Sequence, residues 1–421
     1  MSSDRPVPSA DGGPVAVVGI GADGWAGLNA RARDELRGAR ALIGAPRQLG
    51  MLPPECAGER IAWPSPLRPA VRALLAAHSG RRLAVLASGD PMFFGIGRAL
   101  ADEVGADRLV VLPHPSSVSY ACARLGWPVE ETEVVSLVGR PTDSLALSLH
   151  AGRRLLVLSA GAATPWEVAD LLTARGFGPS LLTVLEQLGG DRERSVHGTA
   201  GSWRHPQGDP LNVVAVECRP APDALRLSTV PGLPDQAYES DGQLTKRHVR
   251  AATLAALAPA PGELLWDVGG GSGSVAVEWM RAHRTCRAVC VEQDPVRASR
   301  IERNAAALGV PGLRILTGRA PEALAGLPAR DAAPDAVFVG GGLTTPGLLS
   351  TCWDALAEGG RLVANAVTLE SEAVLADWYG RHGGELVRLA VAHAVPVGGF
   401  TGWRQAMPVT QWSAVKRGDE R

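Results

Sequence analysis

Short apolar runs alternate with segments of helical periodicity along most of this 421-residue chain. That alternation is typical of α/β folds, in which buried strands are connected by amphipathic helices. In the first half, the pattern predicts helices at residues 71–78 and 166–175. It predicts strands at residues 15–20, 41–44, 83–87, 109–112, 155–158 and 211–216.

The alternation breaks between residues 219 and 235, a segment with four prolines and little periodicity. Such a composition is typical of an interdomain linker. We therefore expect two α/β domains, 14–220 and 235–421, joined by a linker at 221–234 and preceded by a disordered polar tail at 1–13. In the second domain the pattern predicts helices at 247–257, 275–281 and 295–308, and strands at 263–268, 288–292, 313–316, 336–339 and 361–364.

The composition limits the classes of molecule that the protein is expected to bind. The formal net charge of −1 gives no overall field that would attract nucleic acid or an anionic membrane. No stretch reaches the roughly 20 apolar residues that a membrane span needs. The six cysteines are scattered without metal-ligand spacing, so neither a metal site nor disulfides are expected. We expect a soluble, cytoplasmic protein without nucleic-acid or membrane partners.

The strongest chemical signal is the segment LLWDVGGGSGS at residues 264–274. A predicted strand enters a glycine-rich turn, which opens a helix whose first N–H groups have no partner within the helix. Residues 269–273 form G-x-G-x-G, with Asp267 just ahead. A dinucleotide-binding loop would need a third glycine where this chain has Ser274. Glu292 ends the next predicted strand and can accept hydrogen bonds from ribose hydroxyls in either class of site.

This loop resembles that of class I methyltransferases, which bind S-adenosylmethionine on a Rossmann-like fold. The resemblance implies that TGRAP, at residues 317–321, lies beside the adenine. It also implies that DAVFVGGG, at 335–342, ends a strand at the substrate entrance. The glycines there offer no Asn-Pro-Pro-Tyr-type clamp of the kind used on nucleic-acid bases. The cofactor-binding residues implied in this domain are Thr245, Gly269, Gly270, Gly271, Ser272, Gly273, Glu292 and Ala320.

The first domain begins with GIGADG at residues 19–24, which matches G-x-G-x-x-G. The next predicted strand ends without an acid for a ribose, so we do not expect a dinucleotide site. Three further segments stand at predicted strand ends or helix starts: ASGDPMFFG at 87–95, PSSVSYACARLG at 115–126 and VSLVGR at 135–140. Taken singly, SGDP is an ordinary turn signal and PSS an ordinary helix N-cap.

Taken in order and spacing, these segments resemble the tetrapyrrole methylases. That family (class III methyltransferases) has two α/β/α lobes with S-adenosylmethionine in the cleft between them. Its first motif is usually G-x-G-P-G, whereas this chain has Ala22 and Asp23 there. The cofactor-binding residues implied in this domain are Gly19, Gly21, Gly89, Asp90, Pro91, Phe94, Ser116 and Ser117.

Together the two halves resemble the precorrin-6B (precorrin-6Y) C5,15-methyltransferases of cobalamin biosynthesis. The resemblance is most specific at TKRHVR (245–250) and NAVTLE (365–370), and Gly270 stands where that family more often has Ala. It implies S-adenosylmethionine-dependent methylation of a carboxylate-rich tetrapyrrole. The first domain would act at C5, and the second at C15 with loss of CO2 from the C12 acetate, giving precorrin-8. The family tendency implies a homo-oligomer.

Candidate catalytic residues are few, because the sequence contains no evident Ser-His-Asp or paired-carboxylate constellation. Methyl transfer from a sulfonium to a nucleophilic carbon needs alignment more than it needs a strong base. Lys246 and His248 are the candidates for catalysis. The candidates for binding substrate carboxylates are Lys246, Arg247, Arg250 and Arg140, although a solvated helix start explains the first three equally well.

Two alternatives remain open from the sequence. The second domain is also compatible with a class I methyltransferase acting on another substrate such as tRNA, although the chain has no basic stripe. The first domain is also compatible with a non-catalytic module whose cofactor site has decayed, since Ala22 and Asp23 depart from the usual loop. Whether the tetrapyrrole carries cobalt is not indicated.

Overall fold

The computed structural model describes residues 13–417, so the predicted tail lies outside the described residues except for Gly13. The chain forms two compact units. The first unit ends at Arg140 and resumes at Ala151–Pro222, while the second contains Pro141–His150 and continues from Asp223. The sequence pattern gives no sign that a short internal segment belongs to the second unit.

The first sheet of the first unit is parallel, with strand order β3-β2-β4-β1-β5. The strands β1, β2 and β4 are buried apolar runs because helices cover both faces of the sheet, whereas the edge strand β3 is largely exposed. The strands are β1 (Val15–Ile20), β2 (Ala41–Gly44), β3 (Glu59–Ala62), β4 (Leu83–Ser88) and β5 (Leu109–Leu112). The helices are α1 (Gly24–Gly27), α2 (Ala30–Gly38), α3 (Pro46–Gly50), α4 (Leu67–Ala77) and α5 (Gly97–Val104).

The second sheet of this unit has the order β6-β7-β10-β8-β9 and is mostly antiparallel; only β6 and β7 run parallel. Its strands are β6 (Thr132–Ser136), β7 (Arg154–Leu158), β8 (Leu181–Glu186), β9 (Arg194–Thr199) and β10 (Asn212–Glu217). Two helices accompany it, α6 (Ser117–Leu125) and α7 (Thr164–Ala174). The unit therefore has two α/β lobes.

The second unit contains a seven-stranded sheet of order β13-β12-β11-β14-β15-β19-β16, in which β19 runs antiparallel to both neighbours. β17 and β18 form a separate hairpin. The predicted α/β class is confirmed for both halves. The strands are β11 (Leu264–Val268), β12 (Arg287–Glu292), β13 (Arg314–Thr317), β14 (Ala336–Val339), β15 (Arg361–Ala366), β16 (Glu385–Leu389), β17 (Ala392–Val397), β18 (Phe400–Gln405) and β19 (Val409–Val415). The helices are α8 (Arg247–Leu257), α9 (Ser274–Ala282), α10 (Pro295–Ala307), α11 (Leu348–Ala355) and α12 (Leu369–His382).

A buried ion pair fixes the start of α8. Arg250 is fully buried, and its Nε donates to Glu278 Oε1 at 2.5 Å. The Glu278 carboxylate also accepts hydrogen bonds from backbone N–H groups of the segment before α8. The Tyr238 hydroxyl donates to Glu278 Oε1 at 2.9 Å. The terminal nitrogens of Arg250 donate to Asp235 Oδ1, Thr245 O and Leu233 O.

These contacts correct the substrate-binding role that the sequence predicted for Arg250. All three guanidinium nitrogens donate within the protein, and none of the side chain is exposed. Removing one member of such a pair leaves the other charged and buried, which is costly. Arg250 therefore holds α8 and the segment before it in place, and it does not reach a ligand.

The predicted linker is also partly held by the second unit. Arg281 is buried and donates to the carbonyls of Leu227 and Ser228 at 3.2 and 3.3 Å. Gly232 N donates to Glu278 Oε2 at 2.6 Å. The proline content predicts that this segment lacks regular secondary structure, but these contacts with buried side chains cannot be predicted from it.

A second polar cluster anchors the middle of α8 to the sheet. Thr253 Oγ1 accepts from Asn365 Nδ2 at 2.9 Å and from Gln411 Nε2 at 3.0 Å, and Gln411 also donates to Asn365 Oδ1 at 2.9 Å. Because Thr253 is fully buried, these bonds satisfy polar groups that water does not reach. They tie α8 to β15 and β19. Within residues 13–417, no helix combines the length and hydropathy needed to cross a membrane.

We predict that Arg250→Met lowers the free energy of unfolding by about 3–5 kcal/mol, because Glu278 is left as an uncompensated buried charge. Urea unfolding of the full chain measures this. Arg247→Met is the matched control, since Arg247 is exposed three residues earlier, and it should change stability by no more than about 0.5 kcal/mol. Equal effects of the two substitutions would contradict the structural role of Arg250.

Candidate active sites

The glycine loop of the second unit follows β11 and leads into α9. Gly269, Gly271 and Gly273 have φ values of +77°, +59° and +72°, a region that side-chain-bearing residues rarely adopt. Space is also limiting, since a Cβ at Gly269 would lie 2.8 Å from the Gly341 nitrogen. A Cβ at Gly270 would overlap Cys290 Sγ. The loop therefore keeps its path only with glycine at these positions or with movement of the neighbours.

Asp267 lies at the end of β11, directly before this loop. Its Oδ2 accepts from Ala276 N at 3.0 Å, whereas its buried Oδ1 has no hydrogen-bond partner among the described residues. Burial raises the pKa of Asp267 to about 7, and the charge of Glu292 adds to the rise. An unpartnered buried acceptor is costly, so this atom is suited to a ligand that brings a donor.

Glu292 is placed as predicted at the end of β12. Its Oε2 accepts from Gly271 N at 2.8 Å and its Oε1 from Asp294 N at 2.9 Å. A carboxylate has about four acceptor positions, so two backbone bonds leave capacity for ligand hydroxyls. The side chain thereby links the glycine loop to the start of α10.

Ser272 has a different role from its neighbours. It is buried, and its hydroxyl donates to Gln243 O at 2.7 Å. A Cβ at Gly271 would lie 3.1 Å from the same carbonyl. The side chain of Ser272 thus fastens the segment before α8 onto the glycine loop.

The segment from Thr245 to His248 follows directly. Lys246, Arg247 and His248 are exposed at the start of α8, while the Thr245 carbonyl accepts from Arg250. Arg250 and Ser272 therefore hold the predicted substrate-binding and catalytic candidates beside the glycine loop. Ala320 is half-buried, and Gly318 N donates to Glu292 O at 2.9 Å, so the TGRAP turn also meets this edge of the sheet.

Three loops meet at the carboxyl edge of the first parallel sheet, because β4, β1 and β5 are neighbours. Gly89, with φ +59°, donates its N–H to Ile20 O at 3.1 Å. A Cβ at Gly19 would overlap Gly89 O and lie 2.7 Å from His114 N. Gly19 therefore serves the close packing of these loops.

The loop after β1 supplies an acid, Asp23, and the loop after β5 supplies an imidazole, His114, that the sequence did not indicate as a pair. Asp23 Oδ1 lies 3.2 Å from His114 Nε2, and both atoms are buried without a hydrogen bond to described residues. A Cβ at Gly21 would lie 2.5 Å from the Asp23 oxygen and 2.7 Å from the His114 nitrogen. Asp23 precedes α1 but does not cap it. Its carboxylate is left facing His114.

The SGDPMFFG segment forms an open loop after β4. Asp90 Oδ1 accepts from Met92 N at 2.9 Å, and Pro91 O accepts from Gly97 N at 2.9 Å. Phe94 is 46% exposed with φ +53°. The guanidinium carbon of Arg140 lies 5.7 Å from the Phe94 ring centroid. The structure thus brings together Arg140 and Phe94, two residues predicted for separate roles.

The loop after β5 ends in the predicted helix N-cap. Ser116 Oγ accepts from Ser119 N at 3.2 Å, and Ser117 is the half-buried first residue of α6. A Cβ at Gly189, after β8, would lie 3.0 Å from Tyr120 Cζ, and one at Gly190 would lie 2.9 Å from Ala22 Cβ. Both lobes of the first unit thus contribute to the neighbourhood of the first loop.

Comparison with known families gives a separate match for each half. The family described as tetrapyrrole (corrin/porphyrin) methylases matches residues 14–203. The family described as the precorrin methyltransferase domain matches residues 236–416. The two glycine loops described above lie in different matches.

Some relatives are similar along nearly the whole chain. A precorrin-6Y C(5,15)-methyltransferase [decarboxylating] of a Sinorhizobium species is 48% identical over 402 residues, covering 96% of each chain. The protein of the same description from Mycobacterium tuberculosis H37Rv is 49% identical over 407 residues, covering 96% of this chain and all of its own. A crystal structure of the C-terminal domain of the Rhodobacter capsulatus precorrin-6Y C5,15-methyltransferase is 49% identical, with a TM-score of 0.42. It covers 45% of this chain and 100% of that domain.

We predict that the free energy of unfolding falls between about pH 4 and pH 7 because of Asp267. Its folded pKa lies above its unfolded value, so the stability it contributes is complete below the unfolded pKa of 3.8 and is lost as the pH rises through about 7. Asp267→Asn should flatten this part of the profile. Urea unfolding at several pH values tests the effect. An unchanged slope in the variant would assign the pH dependence to other groups.

Proposed function

The chain belongs to the family of decarboxylating precorrin-6Y C5,15-methyltransferases, and on that premise we propose its reaction. It methylates precorrin-6B at C5 and C15 and removes CO2 from the C12 acetate, giving precorrin-8 in cobalamin biosynthesis. The observation that carries this proposal is the presence of two different methylase matches, each with its own glycine loop, on one chain. The tRNA alternative is not needed to account for either match.

S-adenosylmethionine is the cofactor of this family, and when bound it supplies an electrophilic methyl group on a sulfonium. In the second unit the glycine loop, Asp267 and Glu292 would hold it. The unpartnered Asp267 Oδ1 suits a donor such as an amino group. In the first unit Gly89, Asp90 and Ser116 would hold it, beside Asp23 Oδ1 and His114 Nε2, which face each other at 3.2 Å without a hydrogen bond to described residues.

We propose a division of labour in which the first unit methylates C5 and the second methylates C15 and decarboxylates. Each reaction needs its own alignment of sulfonium and carbon, because positioning alone can supply roughly 7–11 kcal/mol of barrier reduction. Two sites with different loop architectures allow two faces or ends of one tetrapyrrole to be aligned. Each unit has a glycine loop at the carboxyl end of its first strand, which supports two working sites over a decayed one, although the first loop has Ala22 and Asp23 in place of the usual Pro-Gly.

The substrate carries many carboxylates, so exposed cations near each loop support its binding. Lys246 and Arg247 provide them in the second unit. In the first unit Arg140 is exposed beside Phe94 and can meet a carboxylate while the aromatic ring packs on the macrocycle. Decarboxylation needs an electron sink, and the conjugated tetrapyrrole itself provides one.

We further propose a cytoplasmic homo-oligomer with no nucleic-acid or membrane partner. The six cysteines are all buried free thiols, which suits a reducing compartment. The tip of the β17–β18 hairpin supports self-association, because Val397 is 59% exposed and Phe400 85% exposed.

We predict that single-loop variants of the full chain separate the two reactions. In Gly271→Val the φ of +59° becomes unfavourable, so C15 methylation and CO2 release should be lost. In Gly89→Val the same strain affects the first unit, so CO2 release should continue with only one methyl group added. Mass spectrometry of the tetrapyrrole product and trapping of released CO2 measure both outcomes.

The two variants control for each other, since each carries the same substitution at a glycine of equal φ. Continued CO2 release by Gly271→Val would refute the assignment of decarboxylation to the second unit. Calorimetry with S-adenosylhomocysteine provides an independent check. We expect two molecules bound per wild-type chain and one per variant chain.

We predict that Phe400→Ser lowers the molar mass of the particle in solution, because a polar side chain weakens apolar contact at the hairpin tip. Light scattering after size exclusion measures the mass. Val230→Ser, at another exposed apolar position, is the control and should leave the mass unchanged. If the molar mass of the Phe400→Ser particle is unchanged, the chains do not associate through the hairpin tip.

A further inference from the structure

Two histidines from distant parts of the sequence lie together in the second unit. The rings of His248, at the start of α8, and His393, on β17, have centroids 6.0 Å apart and planes inclined by 39°. Both residues are exposed. The sequence indicates His248 as a candidate catalytic residue, whereas its pattern does not indicate His393.

His248 is linked to the glycine loop through the segment that precedes α8. Gln243 contacts that loop through its carbonyl, which accepts from Ser272 Oγ at 2.7 Å. Only a few residues separate Gln243 from His248, and Arg250 fixes that stretch through the Thr245 carbonyl. The first turn of α8 is therefore held rigidly beside the candidate cofactor loop, with His248 on it.

Three exposed cations lie near the pair along the chain and across the hairpin, and one acid, Asp235, contacts the first turn of α8, where its carboxylate accepts from Arg247 N and from Arg250. Lys246 and Arg247 precede His248, and Arg404 is the cross-strand partner of His393 in the hairpin. In the part of the chain that the structure describes, none of these three cations forms an ion pair. The hairpin strands contain no Asp or Glu, and Glu278, the acid that α9 directs towards α8, is buried against Arg250. This environment suits a carboxylate-bearing substrate.

The proposed C15 reaction has a definite proton balance. Methylation forms a C–C bond at a carbon that bears hydrogen, breaks the S–CH3 bond, and releases one proton when the double bond is restored. Decarboxylation breaks the bond between the acetate CH2 and its carboxylate, and CO2 leaves. The electron pair enters the macrocycle, and the CH2 becomes CH3 by taking up one proton. One proton is released and one is consumed.

We propose that His248 and His393 transfer the protons at the C15 site. One imidazole accepts the proton released by methylation, and the pair donates a proton to the carbon derived from the acetate. This rests on the proposed division of labour between the two units. Two neighbouring imidazoles can hold and pass a proton near neutral pH, and Lys246, Arg247 and Arg404 bind the carboxylates. His393 is thus a catalytic residue contributed by the hairpin.

The test uses the full chain with precorrin-6B and S-adenosylmethionine, and it measures C15 methyl groups and CO2 separately. His393→Gln should slow CO2 release by about 10²-fold, the lower end for loss of a general acid. C15 methyl transfer should change much less, so a methylated product that retains the acetate carboxylate accumulates. The pH dependence of CO2 release should change shape, while that of methyl transfer does not.

Chemical rescue distinguishes proton transfer from a structural effect. Free imidazole should restore CO2 release to His393→Ala, which a merely structural role would not allow. His283→Gln is the matched control, since His283 also lies in the second unit but bonds to Thr285, and it should behave as wild type. Light scattering confirms that the variants keep the molar mass of the wild-type particle.

The possible outcomes separate this inference from the function on which it rests. If the wild-type chain neither methylates C15 nor releases CO2, the proposed function fails. If the wild type does both and His393→Gln still releases one CO2 per C15 methyl group at an unchanged rate, the proton role of the pair is refuted. A loss of activity that follows a change in molar mass and is not rescued by imidazole also refutes it.

Discussion

The second unit depends on one buried charge, that of Arg250. A guanidinium removed from water is costly unless its donors are used, and here Glu278, Asp235 and two backbone carbonyls accept hydrogen bonds from it. The same carboxylate accepts from the backbone at Gly232 and Leu233. One ion pair thus fixes both the entry of the chain into the unit and the first turn of α8. The exposed residues 246–248 owe their position beside the glycine loop to this pair.

Much of the fold could be predicted because buried strands are continuous apolar runs. β1, β5, β14 and α8 begin and end at the predicted residues. Some elements without a prediction have a weak apolar pattern: β9 is a largely exposed edge strand, and the β17–β18 hairpin exposes most of its side chains. Others, such as β8 and β19, are mostly buried strands that the sequence analysis did not assign. Apolar periodicity reports burial against a core, so exposed strands remain invisible to it.

Some features of the candidate sites could be predicted from the sequence and others could not. Glycine loops and the acid after β12 are local in sequence, and their predicted positions at strand ends correspond to the structure. Contacts between distant segments could not be predicted, and these include Asp23 with His114 and His248 with His393. Arg250 is instructive, because an arginine in a predicted first turn has the same sequence signal whether it faces solvent or the core. The position of Glu278 on the neighbouring helix α9 decides whether this arginine is buried or exposed.

The segment Pro141–His150 has a consequence for how the chain can be divided. It belongs to the second unit although the chain on both sides belongs to the first. A Cβ at Gly309 would lie 2.5 Å from the Leu147 nitrogen, so the helix end after α10 is shaped to receive it. A single protease cut near residue 222 would therefore leave the second unit without residues 141–150, which remain on the fragment that carries all of the first unit. The two units are therefore interleaved along the chain, and no single cut separates all the residues of one from those of the other.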